Sequence, residues 1–265
     1  MRGIDISKHN IIRSFPALKA EGIEFCVVRA GYGTSVDPKF AAYIKAAKDC
    51  GMLVGVYWFC YARDTVEARR EAEVCANTLN GYKLDLPVFY DFEYDTERYA
   101  AKTKVTYTTK SRTDIIETFC AEIMKRGYKA GVYTNPDYWL YKLNSDRLAK
   151  WALWIAAYRQ ADCKASFATT LPTDLPAAYG NAMIWQFGKC KFTKAVGDVD
   201  INYGYGIKPA PKKTYKVGDT YTIKAGDVYT TGRHVPARVV GKTCTIRQVR
   251  TGAILLAEIN SWVAV

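Results

Sequence analysis

The sequence has little histidine, and this shortage excludes several kinds of site. Its 265 residues include two histidines, His9 and His234. A catalytic zinc site takes three protein ligands, usually with histidine among them. His9 and His234 fall in different predicted domains, so the sequence offers no His-rich ligand set. Zinc amidases and deacetylases are therefore disfavoured, and we expect neither a metal nor a cofactor.

Long hydrophobic runs and paired cysteine motifs are also absent. No stretch approaches the roughly 18 to 20 apolar residues of a membrane span, so we expect no membrane-spanning helix. The eight cysteines are scattered without a C-x-x-C pair, which favours buried free thiols over disulfides. A Cys-His peptidase has no recognisable motif here. The strand-like start at Met1 lacks the pattern of a secretory signal, which predicts a protein made in the cytoplasm.

Positive charge is plentiful and unevenly distributed. The formal net charge is +12, and residues 208–265 hold ten Lys and Arg against three Asp and Glu. A basic segment favours a polyanionic partner, but net charge gives the sign of a partner and not its identity. The alternative is a merely soluble basic surface. Nucleic acid is not expected, because the basic residues are not interleaved with the aromatic motif of a known module.

Residues 1–205 alternate short apolar runs with amphipathic stretches, a pattern typical of parallel α/β sheets and barrels. Helices are predicted at 38–50, 65–79 and 113–126, and a loop at 162–179. The predicted strands are 3–7, 25–30, 53–59, 87–92, 130–134, 153–157, 182–186 and 196–201. We expect an α/β fold with an irregular last third.

A domain boundary is predicted at 207–213, where proline and lysine replace large apolar residues. The first domain is then 1–206 and the second 214–265. Short strands are predicted in the second domain at 221–223, 228–230, 244–249 and 254–259, separated by glycine-containing turns. This pattern predicts a small all-β barrel.

Two acids stand two residues apart at the end of a predicted strand, in Tyr90-Asp91-Phe92-Glu93. Period-two alternation sends both side chains to the same side. Two carboxyl groups held close cannot ionise independently, which can leave one carboxylate and one carboxylic acid near neutral pH. Glycoside hydrolysis uses such an acid and anion pair. The alternative is a solvated strand end.

Two more acids are expected at the same place. Asp5 ends the first predicted strand and Asp200 ends the last one. The first and last strands of a closed barrel are neighbours. A ring of four carboxyl groups is therefore predicted, although Asp5 could instead cap a following helix.

Residues 1 to about 205 resemble the glycoside hydrolase family 25 lysozymes, also called the Chalaropsis type. The similarity rests on motifs in the family's order, and each motif is weak alone. They are Gly3-Ile4-Asp5-Ile6-Ser7-Lys8-His9-Asn10, Val28-Arg29-Ala30-Gly31-Tyr32-Gly33, Asp37-Pro38-Lys39-Phe40, Gly55-Val56-Tyr57-Trp58-Phe59, Pro87 to Glu93, Gly131-Val132-Tyr133-Thr134, Leu153-Trp154-Ile155-Ala156, Trp185-Gln186-Phe187-Gly188 and Val199-Asp200-Ile201-Asn202.

The resemblance implies a flattened, irregular barrel that is TIM-like. It also implies cleavage of the β-1,4 bond between N-acetylmuramic acid and N-acetylglucosamine in cell-wall peptidoglycan. Glu93 would be the general acid and Asp91 its partner, with Asp5 and Asp200 flanking them. The attack on the anomeric carbon could come from a substrate acetamido group, from Asp91 or from water.

Aromatic residues near the predicted strand ends are candidates for sugar contact. We select Tyr61, Tyr133 and Trp185 first, followed by Tyr32 and Trp58. Each ring could instead fill the core. Arg29 ends the second strand and is expected to pair with Asp5 or Asp91, or to form a structural ion pair elsewhere.

The second domain resembles the bacterial SH3-like modules appended to wall hydrolases, in 225–229 and 259–263. Tyr221, Tyr229 and Trp262 either bind wall peptide or glycan or fill a small core. These features predict a phage endolysin that acts on peptidoglycan after release from the cytoplasm, with the basic domain on anionic wall polymers. A bacterial autolysin and an inactive wall-glycan-binding protein are the alternatives.

Overall fold

The structure, a computed structural model, describes residues 1–158, 179, 181–208, 214–224 and 227–265. The chain divides into two units, Met1–Lys208 and Pro209–Val265. The predicted loop at 162–179, apart from Tyr179, lies outside the described residues. So do 209–213 of the predicted linker, and Ala225 and Gly226 of the SH3-like motif.

The apolar runs of the first unit form strands, because β-branched and aromatic side chains pack well on a pleated surface. Each of the eight predicted strands corresponds to an observed one. The strands are β1 (Arg2–Ile6), β2 (Ile11–Ile12), β3 (Phe25–Tyr32), β4 (Ser35–Val36), β5 (Leu53–Phe59), β6 (Val88–Asp91), β7 (Ala130–Thr134), β8 (Ala152–Ala156), β9 (Ala182–Lys191), β10 (Ala195–Val196) and β11 (Asp198–Gly204).

Helices occupy many of the connections between these strands. The side chain of Asp64 caps the third helix by accepting hydrogen bonds from the backbone N–H groups of Val66 and Glu67. The helices are α1 (Phe15–Ala20), α2 (Phe40–Asp49), α3 (Thr65–Thr78), α4 (Tyr94–Ala101), α5 (Thr109–Lys125) and α6 (Ser145–Leu148), with a π-helix at Tyr138–Lys142. The three predicted helices are α2, α3 and α5.

Eight strands close into a barrel. Their order is β1-β11-β9-β8-β7-β6-β5-β3, and β1 pairs in turn with β3. The predicted α/β barrel is therefore confirmed. Strand β11 runs antiparallel to both neighbours, because the connection from β9 is too short for the crossover that a parallel pair needs. The sequence did not predict this reversal, and the segment 162–179, on which the expected irregularity rested, lies outside the described residues apart from Tyr179.

The barrel encloses its own apolar cluster. Phe25 and Val27 of β3 belong to this inner cluster, whereas Cys26 and Val28 pack in the larger cluster with the helices. This alternation is the period of a strand. Ile207, which was predicted as linker, is buried in the inner cluster. The interior is therefore packed, and open space is left at the barrel mouth.

The second unit is a small antiparallel sheet. Its strands, in spatial order, are β12 (Thr220–Thr222), β13 (Thr243–Arg250), β14 (Ala253–Leu256) and β15 (Ser261–Ala264). A 3₁₀ helix spans Ala237–Val239. The predicted strand at 228–230 forms isolated bridges, from Val228 to His234 and from Tyr229 to Val263. Tyr221 is buried in the core, whereas Trp262 is half-buried beneath Arg250, whose Cζ lies 4.3 Å from the ring centroid.

The cysteines that the structure describes are free thiols, and most of them are buried: Cys26, Cys50, Cys60, Cys75, Cys120, Cys190 and Cys244. No helix in the described part of the chain is long and apolar enough to cross a membrane.

Candidate active site

A cleft of about 890 Å³ lies at the mouth of the barrel. We call it the acidic cleft, because it is lined by the four predicted acids Asp5, Asp91, Glu93 and Asp200. The carboxyl ends of parallel barrel strands are where active sites of such folds lie. The structure thus brings the four predicted acids together in one cleft.

Strand alternation places Asp91 and Glu93 together. Phe92 between them is fully buried and packs against Tyr107 and Tyr138 in the larger cluster, between the barrel and the helices. The flanking side chains therefore point to the opposite side, into the cleft. Glu93 has an extended backbone and directly precedes α4, and its N–H donates to Thr96 Oγ1 at 3.3 Å.

Barrel closure places Asp5 opposite Asp200. The two residues are direct partners in the antiparallel pairing of β1 and β11. The Oδ2 atom of Asp5 accepts hydrogen bonds from Gln186 Nε2 and Asn202 Nδ2, both at 2.8 Å. Asp200 Oδ1 accepts from the Tyr158 hydroxyl at 3.1 Å. Neighbouring polar groups thus fix both carboxyl groups.

Burial and crowding raise the pKa values of all four acids. Burial raises the pKa of Asp5 to about 8, and the nearby Asp200 adds to the shift. The pKa of Glu93 is raised to about 7, mainly by burial and then by Asp95. Burial, together with Glu93 and Asp5, raises the pKa of Asp91, and burial also raises that of Asp200. The cleft therefore holds protons near neutral pH.

Asp91 also has an unused acceptor. It is 5% exposed, and its buried Oδ1 has no hydrogen-bond partner among the described residues. A buried polar atom without a partner is costly and is rare in folded proteins. In a cleft, such an atom is poised to accept a hydrogen bond from a ligand.

Three of the selected aromatic residues line the cleft. They are Tyr32, Tyr61 and Tyr133. The ring of Tyr61 packs against Tyr99 with centroids 4.3 Å apart, and the Tyr133 hydroxyl donates to Gln186 Oε1 at 2.8 Å. All three side chains are partly exposed and line the cleft, where they can contact a ligand.

Two selected residues, Trp58 and Trp185, do not line the cleft. Both are fully buried, and their indole N–H groups donate to the backbone oxygens of Gly33 at 3.0 Å and Ala157 at 2.8 Å. These two rings therefore fill the core and do not contact the cleft. The ring of Trp58 lies where a Cβ on Gly31 would come within 2.4 Å of it, so the absence of a side chain at Gly31 makes room for the tryptophan.

Arg29 lines the cleft but pairs with neither predicted acid. Its Nε donates to Asp37 Oδ2 at 2.8 Å, and Asp37 is buried. The same carboxylate accepts the backbone N–H groups of Lys8 at 3.0 Å and Lys39 at 2.9 Å. The structural ion pair is therefore the correct alternative, with a partner that the sequence did not indicate. The charge of Arg29 still acts against the raised pKa of Asp91.

Sequence reasoning missed the amide side chains that hold Asp5. Gln186 and Asn202 are both buried, and Asn202 Oδ1 also accepts from Trp154 Nε1 at 2.8 Å. A signal was available, because Asn202 follows Asp200 by two residues and shares its face of β11. The described residues contain no group of three His, Cys, Asp or Glu side chains arranged to hold a metal ion.

A further buried acid lies behind the wall of the cleft. Glu71 of α3 is 3% exposed, and its Oε1 accepts from the backbone N–H of Tyr61 at 3.0 Å. Its Oε2 accepts from the Tyr90 hydroxyl at 2.9 Å. Burial raises the pKa of Glu71 to about 8. Glu71 thus ties the end of β5 to α3 as a mostly neutral group.

Fold and site together define an α/β-barrel protein with a carboxyl-lined cleft at the mouth of its barrel. Residues 4–195 match the family model of the glycosyl hydrolases family 25, and the chain belongs to that family.

The chain is similar to proteins named as lysozymes. It is 28% identical over 159 residues to the autolytic lysozyme of Clostridium acetobutylicum, a match that covers 60% of this chain and 45% of the relative. It is 25% identical over 210 residues to lysozyme M1 of Streptomyces globisporus, a match that covers 76% of this chain and 67% of the relative. The chain thus spans less than half of the first relative. The solved bacterial lysozyme of Streptomyces coelicolor has the same fold, with a TM-score of 0.63 and 23% identity over 78% of this chain and 92% of that one.

We expect the stability of the protein to fall between pH 5 and pH 8, and Glu71→Gln to reduce that slope. The folded-state pKa of Glu71 lies above its unfolded value of about 4.3. The stabilisation is therefore complete below about pH 4 and lost as the pH rises towards about 8, by up to roughly 1.4 kcal/mol per pH unit. Urea unfolding at several pH values measures the slope.

The matched control is Glu67→Gln on the same helix. Arg63 lowers the pKa of Glu67, and the charge of Glu67 is the smallest of the named causes that act on the pKa of Glu71. Glu67→Gln should therefore change the slope above pH 5 far less than Glu71→Gln does. A slope that is the same in Glu71→Gln as in the unmodified protein would contradict the assignment.

Proposed function

We propose that the protein is an N-acetylmuramidase, which hydrolyses the β-1,4 bond between N-acetylmuramic acid and N-acetylglucosamine in peptidoglycan. The observation that carries the proposal is the pair of cleft carboxyl groups, Asp91 and Glu93, whose pKa values are raised. Glycoside hydrolysis requires a carboxylic acid for the leaving oxygen and a second carboxyl group at the anomeric carbon. Membership of a glycosyl hydrolase family supports the same chemistry.

Glu93 is the general acid. With a pKa of about 7 it carries its proton in a large fraction of molecules at neutral pH. A proton donor works best when its pKa lies near the working pH. Glu93 lines the cleft and is less enclosed than Asp91, so it has access to the glycosidic oxygen of a bound chain.

Asp91 assists at the anomeric carbon. Its unpartnered Oδ1 would accept a hydrogen bond from the acetamido N–H of the sugar, which orients the acetamido oxygen for attack. In its ionised form, the same carboxyl group offsets the positive charge that develops in the oxocarbenium-like transition state. Direct attack by Asp91, or by a water that it activates, uses the same position.

The remaining groups bind and shape the substrate. Asp5 and Asp200 flank the reacting pair, and the amides of Gln186 and Asn202 keep Asp5 in place. The rings of Tyr32, Tyr61 and Tyr133 offer stacking faces to the sugars. Arg29 is paired with Asp37, and its positive charge acts on Asp91 from a distance.

We place this activity in host lysis, as a phage endolysin that reaches the wall after release from the cytoplasm. A bacterial autolysin would use the same chemistry. Co-expression with and without a membrane-permeabilising holin separates the two, since an endolysin lyses cells only when the holin is present.

We also assign wall binding to the second unit, as an SH3-like module. Its antiparallel sheet and its nine Lys and Arg, against three Asp and Glu, support an anionic wall polymer as partner. The half-buried Trp262 beneath Arg250 offers an aromatic and cationic surface for such a ligand.

Glu93→Gln is expected to lower turnover by at least about 10³-fold, because the amide cannot donate the proton. The unmodified protein should release reducing ends from Gram-positive walls without new amino termini, with a rate that falls as the pH rises through about 7. Glu73→Gln, an exposed acid on α3, is the control and keeps full activity. Release of amino termini in place of reducing ends would refute the glycosidase assignment.

Removal of the second unit is expected to weaken wall binding. We compare the full chain with residues 1–208 by sedimentation with purified walls. The full chain should sediment at low salt and be released as the salt concentration rises, because screening weakens surface charge interactions. Equal sedimentation of the two proteins would contradict a wall-binding role for residues 209–265.

A further inference from the structure

A second cavity adjoins the acidic cleft. It has a volume of about 290 Å³ and shares Tyr32, Tyr61 and Tyr99 with the cleft. Its other walls are the turn between β3 and β4 and one side of α3. We call it the arginine groove, after Arg63 and Arg70 that line it. The cleft and the groove are therefore direct neighbours that share a wall of three tyrosines.

The shared tyrosine wall is held in place from behind. The ring of Tyr61 packs on Tyr99 at 4.3 Å and meets Tyr32 edge-on at 6.1 Å. The backbone N–H of Tyr61 is bound to the buried Glu71 at 3.0 Å. Both Glu71 oxygens are already engaged, by Tyr61 and by Tyr90. Glu71 thus supports the wall and offers no free acceptor to a ligand.

The charge of the groove is set by Arg70. Arg63 and Glu67 form a close ion pair, with Arg63 Nε 3.0 Å from both carboxylate oxygens. Glu71 is mostly protonated at neutral pH, because burial raises its pKa to about 8. Arg70 is exposed and forms no ion pair within the described ranges. The groove therefore presents one uncompensated guanidinium.

We propose that the arginine groove is a subsite for a carboxylate of the peptide that muramic acid carries, with Arg70 as the residue that binds it. This proposal rests on the proposed function, since it requires a peptidoglycan strand in the acidic cleft. The groove adjoins the cleft at the three shared tyrosines, and its volume is near the lower end, about 300 Å³, of small-ligand sites.

The chemistry of the groove fits a carboxylate better than a neutral group. A guanidinium binds a carboxylate through two parallel N–H···O bonds. Arg63 is already occupied by Glu67, so Arg70 supplies the interaction. The tyrosine hydroxyl groups at the rim can serve the peptide amides. Specificity for peptide-bearing strands then comes from a single cation on α3.

The test compares two substrates and three proteins. The substrates are intact peptidoglycan strands and the same strands after removal of their peptides by an amidase. The proteins are the unmodified chain, Arg70→Gln and Arg69→Gln. Arg69 is the neighbouring exposed arginine on α3, but it pairs with Glu122 at 3.4 Å and does not line the groove. We measure kcat/KM for each combination and check folding by thermal unfolding.

For Arg70→Gln we expect the ratio of kcat/KM on peptide-bearing to peptide-free strands to fall about three- to tenfold, the range for an exposed charged contact. Arg69→Gln should keep the ratio of the unmodified protein. An unchanged ratio in Arg70→Gln, or an equal fall in Arg69→Gln, overturns the subsite while leaving the muramidase intact. No hydrolysis of either substrate by the unmodified protein overturns the proposed function and the subsite together.

Discussion

The pairing of β1 with both β3 and β11 is the constraint on which the site depends. Closure makes the first and last strands neighbours and sets Asp5 directly opposite Asp200. In an open sheet that lacked the β1–β11 pairing, these two acids would lie at opposite edges. The antiparallel β11 also brings Asn202 to Asp5, where it donates at 2.8 Å together with Gln186. The strand pairing of the barrel, more than any single sequence motif, therefore brings the acids of the cleft together.

Barrel closure also crowds the acidic side chains together, and these carboxyl groups stay partly protonated as a result. Asp91 and Asp5 are almost fully buried, and like charges stand near each of them. Ionising every carboxyl group in so enclosed a space would be unfavourable, so the pKa values rise. The cations nearby are partly committed elsewhere, since Arg29 is paired with the buried Asp37. The pKa values of these acids therefore suit proton transfer near neutral pH. Solvated carboxyl groups, by contrast, are ionised at that pH.

Much of this arrangement could be predicted from the sequence, because it follows from periodicity. The strands at 53–59 and 130–134 were placed without error, and the alternation around Phe92 gave the orientation of Asp91 and Glu93. The sequence could not show which aromatic rings face the cleft, because a strand-end tryptophan suits core and cleft equally. Trp58 proved to be core, since the bare Gly31 leaves it room. The Arg29 partner was missed because Asp37 reaches it across the β3–β4 turn, a contact that no spacing rule encodes. The antiparallel β11 was missed for a similar reason, since it depends on a short connection.

The central claim is that the cleft carboxyl groups remain partly protonated at neutral pH. It is tested most directly by a ¹³C NMR titration of the side-chain carboxyl groups in protein labelled at Asp and Glu, with substitutions of single acids for assignment. The account predicts midpoints near pH 7 for Glu93 and near pH 8 for Asp5, far above the exposed acids. Midpoints near pH 4 for all four cleft acids would contradict it.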